Sequence, residues 1–172
     1  MALTFPLRKR DRGQALIEFA IIVPVMLVIL LGMIDLGRAF VYGVSVQNGA
    51  REAARLAERA ATDVNVNDAA VLSRLVSASN PALIGCTAAR GTQPACGGGD
   101  WTFSVDITAP DGTKYTSIAA AKADPQASTR FPGSEIKVTA RGSVSMFAGM
   151  NLGWGDSLFP IVAQGQASMA VF

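Results

Sequence analysis

The sequence predicts an α+β protein: a long N-terminal membrane-spanning helix that continues into a head with a second helix and an antiparallel sheet. Three observations carry that prediction. An apolar run from Gln14 to Ile34 is long enough to cross a bilayer. Beyond it Ala50, Ala53, Ala54, Ala57, Ala60 and Ala61 recur at three- and four-residue steps, so the helical period persists outside the span. From Trp101 onward the pattern changes to alternating apolar and polar residues, as in half-buried strands.

The 172 residues suit one modest domain plus an anchor, on the usual scale of about 100–200 residues per domain. Half of them are hydrophobic (50%) and 16% are charged, a balance that fits an anchored globular head and not a disordered chain. A formal net charge of +2 is too small to imply nucleic acid as a partner. The dense basic cluster, Arg8-Lys9-Arg10-Asp11-Arg12, lies against the apolar run and reads as a topology signal. Positive residues stay cytoplasmic, which places the N-terminus inside and the bulk of the chain outside, although Arg38, Arg51 and Arg55 follow the span.

The elements follow in order. A single helix from residue 15 to 61 would be on the order of 70 Å long. About 30 Å of that crosses the hydrocarbon core. The remainder stands outside and must pack its alanine stripe, either on the chain's own head or on neighbouring helices. Arg51, Glu52, Arg55, Glu58 and Arg59 take the opposite side. Pro24 removes a backbone donor in mid-span and should kink or loosen the helix. Gly32, Gly37, Gly43 and Gly49 each lower helix propensity by about 1 kcal/mol.

The helix breaks at Thr62-Asp63-Val64-Asn65-Val66-Asn67. Asn67 is a fair N-cap for a second helix from Asp68 to about Ser79, with Ala69, Leu72, Leu75 and Val76 on its apolar face. Asn80-Pro81 ends it. Trp101-Thr102-Phe103-Ser104-Val105-Asp106-Ile107-Thr108 puts Trp101, Phe103, Val105 and Ile107 on one face of a strand, and Pro110-Asp111-Gly112-Thr113 signals a turn. Ala119 to Arg130 reads two ways, as a short alanine-rich helix or, from Asp124-Pro125, as a surface excursion. Glu135 to Arg141 alternates cleanly and continues towards Met146-Phe147, and Ile161 to Phe172 reads as a last strand. An antiparallel sheet packed on the helix fits these runs, because its outer face can stay wet.

Two cysteines, Cys86 and Cys96, fall in a Gly-, Thr- and Pro-bearing stretch read as a loop. Outside the cytoplasm the natural reading is one local disulfide. It would contribute roughly 2–3 kcal/mol on the chain-entropy model. The competing reading, a metal pair, has neither C-x-x-C spacing nor a further ligand cluster.

Within the apolar run one acid, Glu18, is out of place. An ionised carboxylate at the bilayer centre is unfavourable by about 2.5–3.5 kcal/mol, so such a residue needs a partner. Cleavage after Gly13 would make one: Gln14 would carry a new α-amino group, and Glu18 would be the fifth residue of the mature chain. An amine on one subunit and a carboxylate on its neighbour could then neutralise each other among packed helices. Alternatively, Glu18 snorkels to the headgroups. The order of basic stub, Gly13, four residues, Glu18, the aromatic Phe19 and an apolar helix resembles the class III signal of type IV pilins and pseudopilins.

Arg12-Gly13-Gln14-Ala15-Leu16-Ile17-Glu18-Phe19-Ala20-Ile21-Ile22-Val23-Pro24, with the later Asp35-Leu36-Gly37-Arg38 step, is most similar to the TadE-like minor pseudopilins of tight-adherence (Tad) pili. The resemblance covers roughly residues 8–61. Phe19 stands where the motif often has tyrosine. The resemblance implies a pilin-like fold and a minor, priming or tip-associated subunit. An aspartic prepilin peptidase would remove residues 1–13. Residues 14–36 would span the membrane and pack, 37–61 would continue the helix outside, and 62–172 would form a periplasmic head. Gly13 and Gln14 would then form the processing site, and Glu18 and Phe19 the subunit register. The implied partners are other pilin and pseudopilin subunits, the peptidase, an inner-membrane assembly platform and lipid. The implied location is the bacterial inner membrane, single-pass, or the outside of the cell within a pilus.

An enzyme is hard to build from this inventory. With no histidine, the usual Ser–His–Asp and Cys–His arrangements are excluded. Gly97-Gly98-Gly99 lacks the lysine and the strand–helix setting of a phosphate loop, and reads as a flexible tip. Asp100, Asp106 and Asp111 are scattered, so no calcium site or carboxylate pair follows from spacing, and no cofactor is implied. Trp101 and Trp154 read as core or membrane-proximal residues. Two non-pilin readings stand beside the first. One is an uncleaved, signal-anchored periplasmic binding or adhesion module. The other is a secreted domain behind an ordinary signal peptide, for which Gly37 and Ala39 offer a small-x-small site interrupted by Arg38.

Overall fold

The computed structural model describes residues 11–96, 99–127, 131–145 and 160–171. Helix α1 runs from Asp11 to Ala57, and a short 3-10 turn, Glu58–Ala61, replaces the last α-helical turn expected from the alanine period. Pro24 lies inside α1 without ending it. The lost donor and ring clash cost about 3 kcal/mol, which the intrahelical bonds propagating on both sides offset. Helix α2 follows at Asp68–Ala78. The Asn67 side chain caps it, accepting from the Ala70 N–H at 2.9 Å.

The sheet is antiparallel, in the order β1 (Gly91–Cys96), β2 (Gly99–Thr108), β4 (Glu135–Ser145), β5 (Pro160–Ala170). The two-residue β3, Lys114–Tyr115, pairs with the end of β2. Trp101, Phe103, Val105 and Ile107 all face the core from β2, and Ile136, Val138 and Ala140 face it from β4. The intervening Glu135, Lys137 and Arg141 are exposed, so one face of the sheet stays wet. The last strand begins one residue earlier than the alternation suggests; Phe172, Met146, Phe147 and Trp154 lie outside the described residues.

Several expectations are corrected. The cysteine stretch is not all loop. β1 occupies it and pairs with β2, although a register shift between Gln93 and Cys96 and the proline in Gly91–Cys96 hid the strand pattern. Gly97 and Gly98 lie outside the described residues, and Gly99 opens β2. The ambiguous segment after Ser117 forms α3, Ile118–Ala123, because the Ser117 hydroxyl caps it by accepting from Ala120 N–H at 2.9 Å. On α2, Ala69 is exposed and Val71 is buried instead, since the core contact is made by Val71, Leu72 and Leu75. Ala61 is likewise exposed, because the tighter turn rotates it off the stripe.

Polar contacts join these pieces. The Asp68 carboxylate accepts from Ile118 N–H at 2.9 Å and lies 3.8 Å from Arg90, whose guanidinium donates to the Val105 carbonyl at 3.2 Å. The Lys122 ammonium donates to the carbonyls of Asp63 and Val66 at 2.9 and 2.8 Å, pinning the turn between α1 and α2 to α3.

Candidate functional site

Helix α1 carries every processing and register residue named above, and it changes character along its length. From Gly13 to Leu30 nearly every residue is exposed, and these residues include Leu16, Ile17, Phe19 and Ile21. A soluble protein would be destabilised by such a display; a bilayer or a neighbouring helix would cover it. Gly13 and Gln14 lie in the exposed first turns of the helix. Glu18 is exposed on it, and the Gln14 amide donates to its carboxylate at a long 3.4 Å, the i,i+4 geometry of one helix face. Among the described residues no cation reaches Glu18. Phe19, 65% exposed, has no place in the head's core.

At Asp35 the helix first meets cover. Asp35 is only 6% exposed and lies 3.7 Å from Arg38, whose guanidinium sits 5.9 Å from the centre of the Tyr42 ring. From Val46 onward α1 becomes a layer of the head. Val46, Ala50, Ala53, Ala54 and Ala57 are fully buried, packed with α2, β4 and β5. The alanine stripe therefore serves contact between the helix and its own head. Glu52 adds ion pairs to Arg55 at 3.0 Å and to Arg74 of α2 at 3.2 Å.

Two glycines make this attachment close. A Cβ at Gly49 would fall 1.8 Å from the Ser79 hydroxyl and 2.8 Å from the Leu75 carbonyl, so α1 meets the end of α2 with room for no side chain of its own at this position. A Cβ at Gly165 of β5 would lie 2.5 Å from the Val46 carbonyl. In the sequence Gly49 reads only as a weak point of the helix, and nothing in the pattern marks Gly165. Their one available signal was smallness, which does not separate a tolerated glycine from a required one. By contrast, a Cβ at Gly13, Gly32, Gly37 or Gly43 meets nothing within 4 Å among the described residues.

Cys86 and Cys96 form a disulfide across ten residues, tying β1 to the segment after α2. Among the described residues no cluster of three metal-ligating side chains exists. A surface hollow of about 320 Å³ beside Ala60, Lys122 and Phe131 is too shallow and too poor in converging polar groups to be an active site.

Fold and helix together define an α+β protein of pilin-like architecture, with one N-terminal helix long and apolar enough to cross a membrane. Residues 13–55 match the family model of TadE-like proteins, a structural family associated with Tad pili. That match covers α1 from the glycine before Gln14 almost to its end, and it leaves the rest of the head unmatched. No curated protein and no solved structure matches the chain.

Proposed function

We propose that the chain is a minor pseudopilin of a Tad-type pilus, cut after Gly13 and incorporated through α1. In this reading residues 1–13 are a cytoplasmic leader, 14–36 the membrane and packing segment, 37–61 its outer continuation and 62–172 a periplasmic head. The observation that carries it is the course of the exposed apolar surface on α1. About 20 residues fill the hydrocarbon core, so a span that begins at Gln14 is complete near Ile34. The exposed surface does not end there. Met26, Ile29, Met33, Leu36, Phe40 and Val44 follow one another at three- and four-residue steps, and all are exposed. Phe40 is the most exposed of them, at 72%. The seam thus rises about 15 Å beyond the span, at 1.5 Å per residue, on the side of α1 that the head leaves open. Lipid suffices for the lower part. The upper part fits the helices of other pilus subunits, which would take over the lower part as well once the chain leaves the membrane.

Glu18 and the future α-amino group of Gln14 complete the assignment. Among the described residues of one subunit Glu18 has only the long Gln14 amide contact, which suits its carboxylate to the α-amino group of a neighbouring subunit. A prepilin peptidase and an inner-membrane assembly platform are the partners this reading requires. Mass analysis of protein isolated from native membranes should find an N-terminus at Gln14. A start at Met1 would point to an uncleaved anchored module, and a start near Phe40 to a secreted domain. Replacing Glu18 with alanine should leave insertion and head folding intact while incorporation into pili falls at least tenfold; unchanged incorporation would remove the register role.

A further inference from the structure

The sheet ends in two edges that are closed by different means. On the β1 side the edge is broken by the register shift at Gln93–Cys96, tied down by the Cys86–Cys96 disulfide, and deprived of one donor at Pro94. Between β1 and β3 the carbonyl of Val105 is taken by Arg90. On the opposite side β5 runs for 11 residues with no register shift against β4.

Along β5 the side chains of Val162, Gln164, Gln166, Ser168 and Ala170 are exposed, and those of Ala163 and Gly165 are buried. Gln166 directs both backbone groups away from β4. The Gln47 side-chain amide of α1 donates to the Gln166 carbonyl at 2.8 Å, and the Gln47 side-chain oxygen accepts from the Gln166 N–H at 3.1 Å. That donor–acceptor pair is what a neighbouring strand would offer. Because strand residues alternate, Val162, Gln164 and Ser168 present their backbone groups to the same outer edge. The exposed side chains along it carry no charge, although charged residues are the usual means of keeping edge strands apart.

We propose that Gln47 guards this edge, standing where a strand from a second copy of the chain would otherwise add. The occupant it excludes is β5 of another molecule. An antiparallel pair of identical strands is self-complementary about a two-fold axis, and this one would bring no like charges together. The broken, stapled β1 edge of a second copy could not serve.

The test uses the full chain in detergent, comparing wild type with Gln47→Ala, Gln47→Glu and the double variant Gln47→Ala/Gln164→Pro. In dilute Gln47→Ala the Gln166 amide should exchange with solvent at least tenfold faster than in wild type. On concentration Gln47→Ala should dimerise at least tenfold more readily than wild type. Gln164→Pro, which removes only an outward-facing donor, should abolish that gain. Gln47→Glu keeps an acceptor and places a charge on the edge, so it should remain as monomeric as wild type. Unchanged exchange at Gln166, equal dimerisation of Gln47→Ala and Gln47→Glu, or a dimer that survives Gln164→Pro would each overturn the proposal.

Discussion

The two halves of α1 share a conformation and differ in the size of what they carry. From Leu16 to Val44 most of the exposed side chains are large and apolar: leucine, isoleucine, methionine, phenylalanine and valine. From Val46 to Ala60 the buried ones are mostly alanine, with Gly49 at the closest approach to α2. Large apolar side chains suit a surface whose cover is mobile or comes from another molecule, because they fill space without demanding one geometry. Small ones are needed where a backbone comes within van der Waals distance and stays there. Side-chain size along one helix thus marks where the chain's own fold takes over from its surroundings.

That contrast can be broken most sharply at the contact glycines. Gly49→Val and Gly165→Val each force a side chain into backbone atoms and should destabilise the head by about 2–4 kcal/mol, read as a lowered denaturation midpoint of the detergent-solubilised chain. The next effect is the disulfide. Cys86→Ser/Cys96→Ser releases a closed loop with a sequence separation of 10 and should lower stability by about 2–3 kcal/mol in the same measurement. The smallest effect has the opposite sign and sharpens the comparison. Gly37→Ala meets nothing within 4 Å among the described residues and should stabilise α1 by about 0.5–1 kcal/mol, detectable as slower amide exchange around that turn. If the same variant lowers incorporation into pili, Gly37 is held small by a partner and not by this fold.

Much of the architecture was legible because its signals are local. The apolar run, the Asn67 cap and the alternation of β2 and β4 depend on residues within a few positions of one another, and each appears where the sequence pattern places it. The errors fall where that condition fails. β1 is a strand because β2 lies beside it, and its proline and bulge conceal the period. β3 is too short to carry a period at all. Ala69 and Val71 exchanged roles because a helix shows which residues share a face, but only its neighbours decide the few tens of degrees that rotate one of them inward. In the candidate site, Glu18 and Phe19 could be picked out by chemistry alone. The glycines at the contacts could not, since the atoms that require them belong to other elements.

By itself the sequence determined that this chain has a membrane-length apolar helix with one acid in it, a cap that starts a second helix, strands with one dry face, and two cysteines close enough to join. These are consequences of hydropathy, period and short-range chemistry, which neighbours in the chain settle between them. Only the tertiary structure decided that Gly49 and Gly165 are points of backbone contact, that Asp35 is covered, and that Gln47 occupies an edge more than a hundred residues away. Those outcomes depend on how close separate elements come to rest, and that distance is set by the packing of the whole head.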